Sequence, residues 1–178
     1  MLTRKDLISG YTLSLKTNGI KVEPKQCSIH CEEFLDLIFS YIKEGCIVRF
    51  QGCGALVVRQ KKERLGFNPK TGEKHIVSGR RTCSMIKKVR SSAKGIIQNR
   101  KITTKQIRID FGKKINNPEA SEILINTFLR LLSSIITGRE DRFMLQSFGS
   151  FSLRKKINEG CITFSPAKEI KDYLKEQG

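Results

Sequence analysis

One segment of this chain is written twice, and only one copy keeps a long basic insert. Phe50-Gln51-Gly52-Cys53-Gly54-Ala55-Leu56-Val57-Val58-Arg59-Gln60-Lys61-Lys62 returns as Leu145-Gln146-Ser147-Phe148-Gly149-Ser150-Phe151-Ser152-Leu153-Arg154-Lys155-Lys156, with Gly149 standing 95 positions after Gly54. The first copy runs on into Glu63-Arg64-Leu65-Gly66-Phe67-Asn68-Pro69-Lys70-Thr71-Gly72-Glu73-Lys74-His75, whereas Ile157-Asn158-Glu159-Gly160 alone follows the second. A repeat of this length predicts a tandem pseudo-dimer whose two lobes share a body but not a tool.

Charge narrows the partner. The chain has 34 Lys plus Arg against 17 Asp plus Glu, a formal charge of +17, which points to a polyanion, nucleic acid first. The excess is local: Arg59 to Lys94 holds twelve Lys or Arg against Glu63 and Glu73. A solvated mixed-charge surface would carry acids at similar density.

At 178 residues with 38% hydrophobic content, the chain can build packed domains. Leu7 to Leu15 is interrupted by Ser9, Gly10, Thr12 and Ser14, and no apolar run approaches the roughly 18 residues of a membrane span. A soluble, unsecreted protein is expected, with its six cysteines as free thiols behaving like small core residues.

Thr3 with Asp6 approximates a capping box for a helix to about Thr17, broken by Asn18-Gly19. Ile20 to Gln26, with Pro24, reads as a loop; Ser28 to Glu44 reads as a helix with Phe34, Leu35, Ile38 and Ile42 on one stripe. Strands follow at Cys46 to Phe50 and Ala55 to Gln60, then the arm returning through His75-Ile76-Val77, a strand at Arg81 to Ile86, and a short helix from Lys88 to about Gln98. Gln98 to Thr103 is the join. The second lobe repeats the order: a helix capped by Thr104 to about Lys114, a turn at Asn116-Asn117-Pro118, and a helix with Ile123, Leu124, Phe128, Leu131, Leu132, Ile135 and Ile136 on its apolar face, closed by Gly138. A hairpin at Arg142 to Gln146 and Gly149 to Lys155, a strand at Cys161 to Phe164 and a last helix from Ala167 to about Glu176, with Ile170 and Leu174 inward, complete it.

This order, with the arm tip Gly66-Phe67-Asn68-Pro69-Lys70-Thr71-Gly72-Glu73, the basic pair in Gly79-Arg80-Arg81, and Ser147-Phe148-Gly149-Ser150-Phe151 and Phe164-Ser165-Pro166-Ala167-Lys168-Glu169-Ile170 in the second half, resembles the bacterial histone-like protein HU and integration host factor family. The resemblance spans nearly the whole chain. It implies an α+β fold, an intertwined helical body with β-hairpins and one projecting β-ribbon, divided into a lobe at 1–98 whose arm is about 60–80 and a lobe at 99–178 with a truncated arm. Members of that family are dimers of a chain about half this size with two equivalent arms, so this chain looks like both subunits fused. It departs from the family at Phe67, where Arg is usual, and at Met85-Ile86-Lys87-Lys88, where a Phe-x-Pro-Gly helix entry is missing.

Charge and resemblance together make Arg59, Lys61, Lys62, Arg64, Phe67, Asn68, Pro69, Lys70, Lys74, Arg80, Arg81, Lys87, Lys88, Arg154, Lys155, Lys156, Ser165 and Lys168 the expected DNA contacts. Two strands of about seven residues reach roughly 20–25 Å, enough to follow a groove. Pro69 at the turn offers an apolar wedge with no donor to satisfy; its insertion between minor-groove base steps is a mechanism carried over from that family. The cations grip phosphates and carry affinity with little sequence information.

Cys27, His30 and Cys31 are three possible zinc ligands at a helix start, with Cys46 or Cys53 a conceivable fourth; the alternative is that Cys31 is core and the others are partly exposed. No metal or cofactor is assigned. With only His30 and His75, no apolar carboxylate pair and no phosphate-binding glycine loop, catalysis has no support. The expected function is bending or wrapping of double-stranded DNA through the minor groove with low sequence specificity, by a monomeric pseudo-dimer that is cytoplasmic, nucleoid-associated and not membrane-bound. A scaffold recruiting a protein partner to its armless face, and an RNA-binding regulator, are the alternatives.

Overall fold

Short-range chemistry starts the first helix. In the computed structural model, which describes residues 1–87, 95–97, 100–156 and 159–177, Leu2–Thr3 forms a short strand, β1, and Arg4–Thr17 forms α1. The Asp6 carboxylate accepts from both the Thr3 N–H and the Thr3 hydroxyl at 2.7 Å, tying the residue before the helix to its first turn, an arrangement that stabilises a helix start by about 1 kcal/mol. Asn18 and the left-handed Gly19 (φ 71°) end it.

The second helix begins earlier than expected. α2 spans Pro24–Lys43, with Pro24 at its first position and not in the loop, because a proline lacks only the N–H that a first turn leaves unused. Its buried stripe includes Phe34, Leu35, Ile38 and Ile42 as predicted. β2 (Ile47–Phe50), β3 (Gly54–Lys61), β4 (Arg64–Phe67), β5 (Lys74–Val77) and β6 (Arg80–Ile86) follow. Most of the expected Lys88 to Gln98 helix lies outside the described residues, but Gly95–Ile97 is not helical: Ile96 bridges antiparallel to Arg59, and the Ile97 N–H donates to Val58 O at 2.9 Å. The join is also more than a linker, since Lys101–Ile102 forms β7.

α3 (Thr104–Lys114) is capped one residue earlier than expected, by Thr103, whose hydroxyl accepts from the Gln106 N–H. Thr104 is released to bridge elements, donating to Arg49 O (3.0 Å) and accepting from the Gln51 N–H (2.9 Å). α4 (Pro118–Ile136) has Asn117 as cap and Pro118 at its first position. β8 (Arg142–Leu145), β9 (Gly149–Lys156), β10 (Glu159–Pro166) and α5 (Lys168–Glu176) close the chain.

The sheets are built alike. One has the order β1-β8-β9-β10 and the other, read from its opposite edge, β7-β2-β3-β6. In each, a two-residue strand preceding one helical pair runs parallel to the first hairpin strand of the other half: Leu2 and Thr3 beside Phe143 and Met144, Lys101 and Ile102 beside Ile47 and Val48. The hairpin turns also correspond. Gly52 and Ser147 both have positive φ, the Cys53 N–H bonds to Phe50 O as the Phe148 N–H bonds to Leu145 O, and Cys53 and Phe148 are both buried. Gly54 (φ 125°) and Gly149 (φ 147°) must lack a Cβ, which would lie 2.6 Å from Ile86 O in one sheet and 2.5 Å from Ser165 O in the other.

One main hydrophobic core joins the halves. Phe128 of α4 lies at its centre, its ring 5.1 Å from Phe34, 5.4 Å from Phe50, 5.9 Å from Phe143 and 6.0 Å from Phe151. These are offset and edge-on contacts of the kind aromatic rings prefer. Tyr41 of α2 donates to Asp110 of α3 at 2.6 Å across the same boundary.

Candidate nucleic-acid interface

The arm grows out of the body as an uninterrupted register. β3 and β6 pair from Ala55↔Ile86 to Lys61↔Arg80, and β4 and β5 take up the same register from Arg64↔Val77 to Phe67↔Lys74. The strands are therefore split, with 62–63 and 78–79 outside the ladder, where the sequence suggested unbroken runs of about seven residues. Gly79 lies against the opposing backbone at this gap: a Cβ there would be 3.1 Å from Lys61 O. Burial stops with Val58; beyond Gln60 the ribbon leaves the core and is largely exposed. From Lys61 to Phe67 it extends about 20 Å at the usual strand rise.

At the tip the backbone is held by its own bonds. The Asn68 N–H donates to Glu73 O (3.0 Å), the Gly72 N–H to Asn68 O (2.9 Å), and the Lys70 N–H to the Asn68 side-chain oxygen (3.0 Å). Asn68 thus supplies a side-chain mimic of a turn, Gly72 the left-handed residue (φ 73°), and Pro69 stands exposed at the crest. Lys61, Lys62, Arg64, Lys70 and Lys74 are exposed, and among the described residues none has an ion-pair partner. Gly66 opposite His75 has a packing reason as well: a Cβ would come within 2.8 Å of the imidazole.

Arg59 is half-buried at the arm's root, paired with Thr82 and bridged by Ile96. Arg80 is exposed, while Arg81 is half-buried with its Nε donating to Gln60 Oε1 at 3.3 Å. Lys87 is exposed and Lys88 lies outside the described residues. Arg154, Lys155 and Lys156 occupy the end of β9, their side chains outside the described set, and Ser165 and Lys168 are exposed at the entry to α5. The structure thus places Arg80 and Arg81 at the foot of the arm, beside the β10–α5 junction, where Pro166 between Ser165 and Lys168 lines the same cavity.

Two cations escaped the sequence reading. Lys171 and Lys175 of α5 meet Arg80 and Arg81 around a cavity of about 240 Å³ that Cys83 and Leu174 also line. The helical spacing of Lys168, Lys171 and Lys175 was a signal for a shared face; their meeting with β6 depends on how α5 packs.

Cys27, His30 and Cys31 have a different occupation. All three are buried, not only Cys31, and His30 Nδ1 shares a 2.9 Å hydrogen bond with the Tyr11 hydroxyl. Burial pushes the Cys31 thiol up to about 12, so in the folded chain it is a protonated core side chain at neutral pH. Among the described residues, no group of three or more potential ligands is placed to hold a metal ion. No helix among them is long and apolar enough to cross a membrane.

Residues 2–92, comprising β1 through β6 with the whole arm, match the family model described as bacterial DNA-binding protein. The chain belongs to this family. Integration host factor subunit alpha of Caulobacter sp. (strain K31) is 36% identical over 80 residues, 45% of this chain and 75% of that protein. The same subunit from Anaeromyxobacter sp. (strain Fw109-5) is 42% identical over 53 residues, 28% and 54%, and that from Thiobacillus denitrificans is 39% identical over 66 residues, 36% and 64%. The chain therefore spans between about half and three quarters of these relatives' length. Among solved structures, an Anabaena HU–DNA cocrystal structure aligns over 44% of this chain and 84% of that one, at 25% identity and a TM-score of 0.35. Beyond the matched residues the chain continues through β7, α3, α4, β8, β9, β10 and α5.

Proposed function

We propose that this chain is an architectural, nucleoid-associated DNA-binding protein. It acts as a single-chain pseudo-dimer, with a lobe at 1–98 bearing the arm and a lobe at 99–178 whose arm is reduced to a turn, and it bends duplex DNA through the minor groove. The observation that carries this reading is the asymmetry of two otherwise corresponding hairpins: one continues from Lys61↔Arg80 to an exposed cationic tip, the other ends at Lys156↔Glu159. The arm supplies Lys61, Lys62, Arg64, Lys70 and Lys74 as phosphate ligands, and Arg80, Arg81, Lys87 and Lys88, with Arg154, Lys155, Lys156, Ser165 and Lys168, hold the duplex on the body. Such contacts fix position and affinity more than sequence, and minor-groove edges carry a degenerate code.

Pro69 acts as the wedge. Smooth bending of a short site costs on the order of 1–6 kcal/mol, so a nicked or prebent duplex should bind better than a linear one, and structured RNA worse, at one fixed salt concentration. Replacing Pro69 with Ala preserves every charge, so affinity should largely persist while bending falls. Fluorescence-transfer distances between the ends of a labelled duplex at saturating protein test this. Equal distances for wild type and Pro69→Ala would mean that the proline holds DNA without kinking it.

A further inference from the structure

The arm is cationic, yet it also presents an apolar face to solvent. Leu65 (68% exposed), Phe67 (63%) and Ile76 (64%) are three of the seven exposed large hydrophobic side chains among the described residues, all within a ribbon of two four-residue strands. Alternation along β4 puts Leu65 and Phe67 on one face, and Ile76, directly opposite Leu65, shares it. No core lies beneath this face, since burial ends at the ribbon's root, so packing within the chain does not explain three large apolar residues there. Exposed apolar surface of this kind marks contact with something else.

Charge selects the occupant. Lys61, Lys62, Arg64, Lys70 and Lys74, against Glu63 and Glu73, flank the apolar trio, so a second copy would bring two positive arms together. A polyanion with apolar walls would not meet that penalty. The minor groove is such a surface, with phosphates along its rims and deoxyribose and base faces within. Aromatic and aliphatic side chains can both part base steps there, and an aromatic ring also gains by stacking on an exposed base.

We infer that Phe67 is a second unstacking wedge, with Leu65 and Ile76 seated against the sugar walls behind it. This rests on the minor-groove reading of the arm. Phe67 precedes Pro69 by two residues, so the two wedges are at most about 7 Å apart along the ribbon, or about two base steps at 3.4 Å each. The kink is therefore a composite, made by two neighbouring openings from one arm.

The test uses the full chain and a set of duplexes carrying 2-aminopurine, whose fluorescence rises when it loses its stacking partners, at successive positions. Wild type should brighten two sites no more than about two steps apart. Phe67→Ala, a substitution at an exposed position, should extinguish one and leave the other, which Pro69→Ala should extinguish in turn. Phe67→Arg should lose the same site while making the salt slope of binding steeper by about one, through the added phosphate contact. An unchanged fluorescence profile in Phe67→Ala would overturn the inference while leaving DNA binding and Pro69 kinking intact. A wild-type dimer in sedimentation that Phe67→Ala dissolves would overturn it differently, by assigning the face to a second copy. A wild-type protein that leaves every duplex unbound would remove the underlying reading as well.

Discussion

The hairpin opening at Gly54 and the one opening at Gly149 share a turn, a glycine against a neighbouring carbonyl and a place in a four-stranded sheet. They part after Lys61 and Lys156, corresponding positions in the repeat: one register continues to Phe67↔Lys74, while the other stops at Lys156↔Glu159. The divergence falls beyond the last core residue of β3, Val58. Up to that point each side chain must fit a packed interior, where even a methylene is felt. Past it the fold asks only for close cross-strand approach, as at Gly66 and Gly79, and the remaining side chains of the arm face solvent.

The largest effect is expected where the two hairpins share their support. Phe128 touches aromatic residues from both halves, so Phe128→Ala should cost about 3–5 kcal/mol and loosen β3 and β9 together. Hydrogen exchange should show their amides losing protection in parallel; loss confined to β9 would mean two separate cores. By the same reasoning the fragment Met1 to Gln98 should give no monomeric cooperative thermal transition.

Next, what they do not share can be exchanged. Joining Lys61 to Arg80 through the Ile157-Asn158 pair makes the first hairpin end as the second does. Because none of the removed residues belongs to the buried core, stability should stay within about 0.5 kcal/mol in urea unfolding. DNA bending should vanish, with the salt slope falling by about one for each phosphate no longer neutralised. A large stability loss would show the arm to be part of the body after all.

A smaller effect separates the arm from its foot. Arg80→Ala with Arg81→Ala should make the salt slope shallower by up to about two and weaken all duplexes alike. Bending per bound complex should persist, since the tip is untouched. An unchanged slope in a salt titration of affinity would take both residues out of the interface.

The smallest effect lies in the body alone. Burial lowers the His30 pKa, with Glu33 opposing, so the folded state prefers the neutral ring that bonds Tyr11. The unfolded chain binds the proton more readily. Stability should therefore be full above about pH 6.5, the ordinary histidine value, and fall as pH drops from there towards the lower folded-state value, by at most about 1.4 kcal/mol per pH unit from this group. His30→Gln should flatten that part of the profile in thermal melts between pH 7.5 and 5.0, and an equal slope in the variant would place the titration elsewhere.

Where bonds are local, residues within four positions decide the outcome, and so the Thr3–Asp6 box, the Asn117-Pro118 helix start, Gly138 as a stop, and the Asn68-Pro69 tip with Gly72 could all be read from the sequence. The 95-residue repeat likewise announced two hairpins with the same turn, and the basic insert announced the exposed ribbon that follows the first, because self-similarity and charge need no contacts to be visible. The tertiary structure alone decided what depends on distant partners. β1 and β7 are two residues long, too short for any periodicity, and exist only because each runs beside a strand of the other half. Ile96 is extended because β3 offers it a free edge beyond β2, overriding the helix its segment suggested. Lys171 and Lys175 become neighbours of Arg80 and Arg81 only once α5 lies against β6, and the face shared by Leu65, Phe67 and Ile76 is set by pairing across the arm, which a list of residues does not contain.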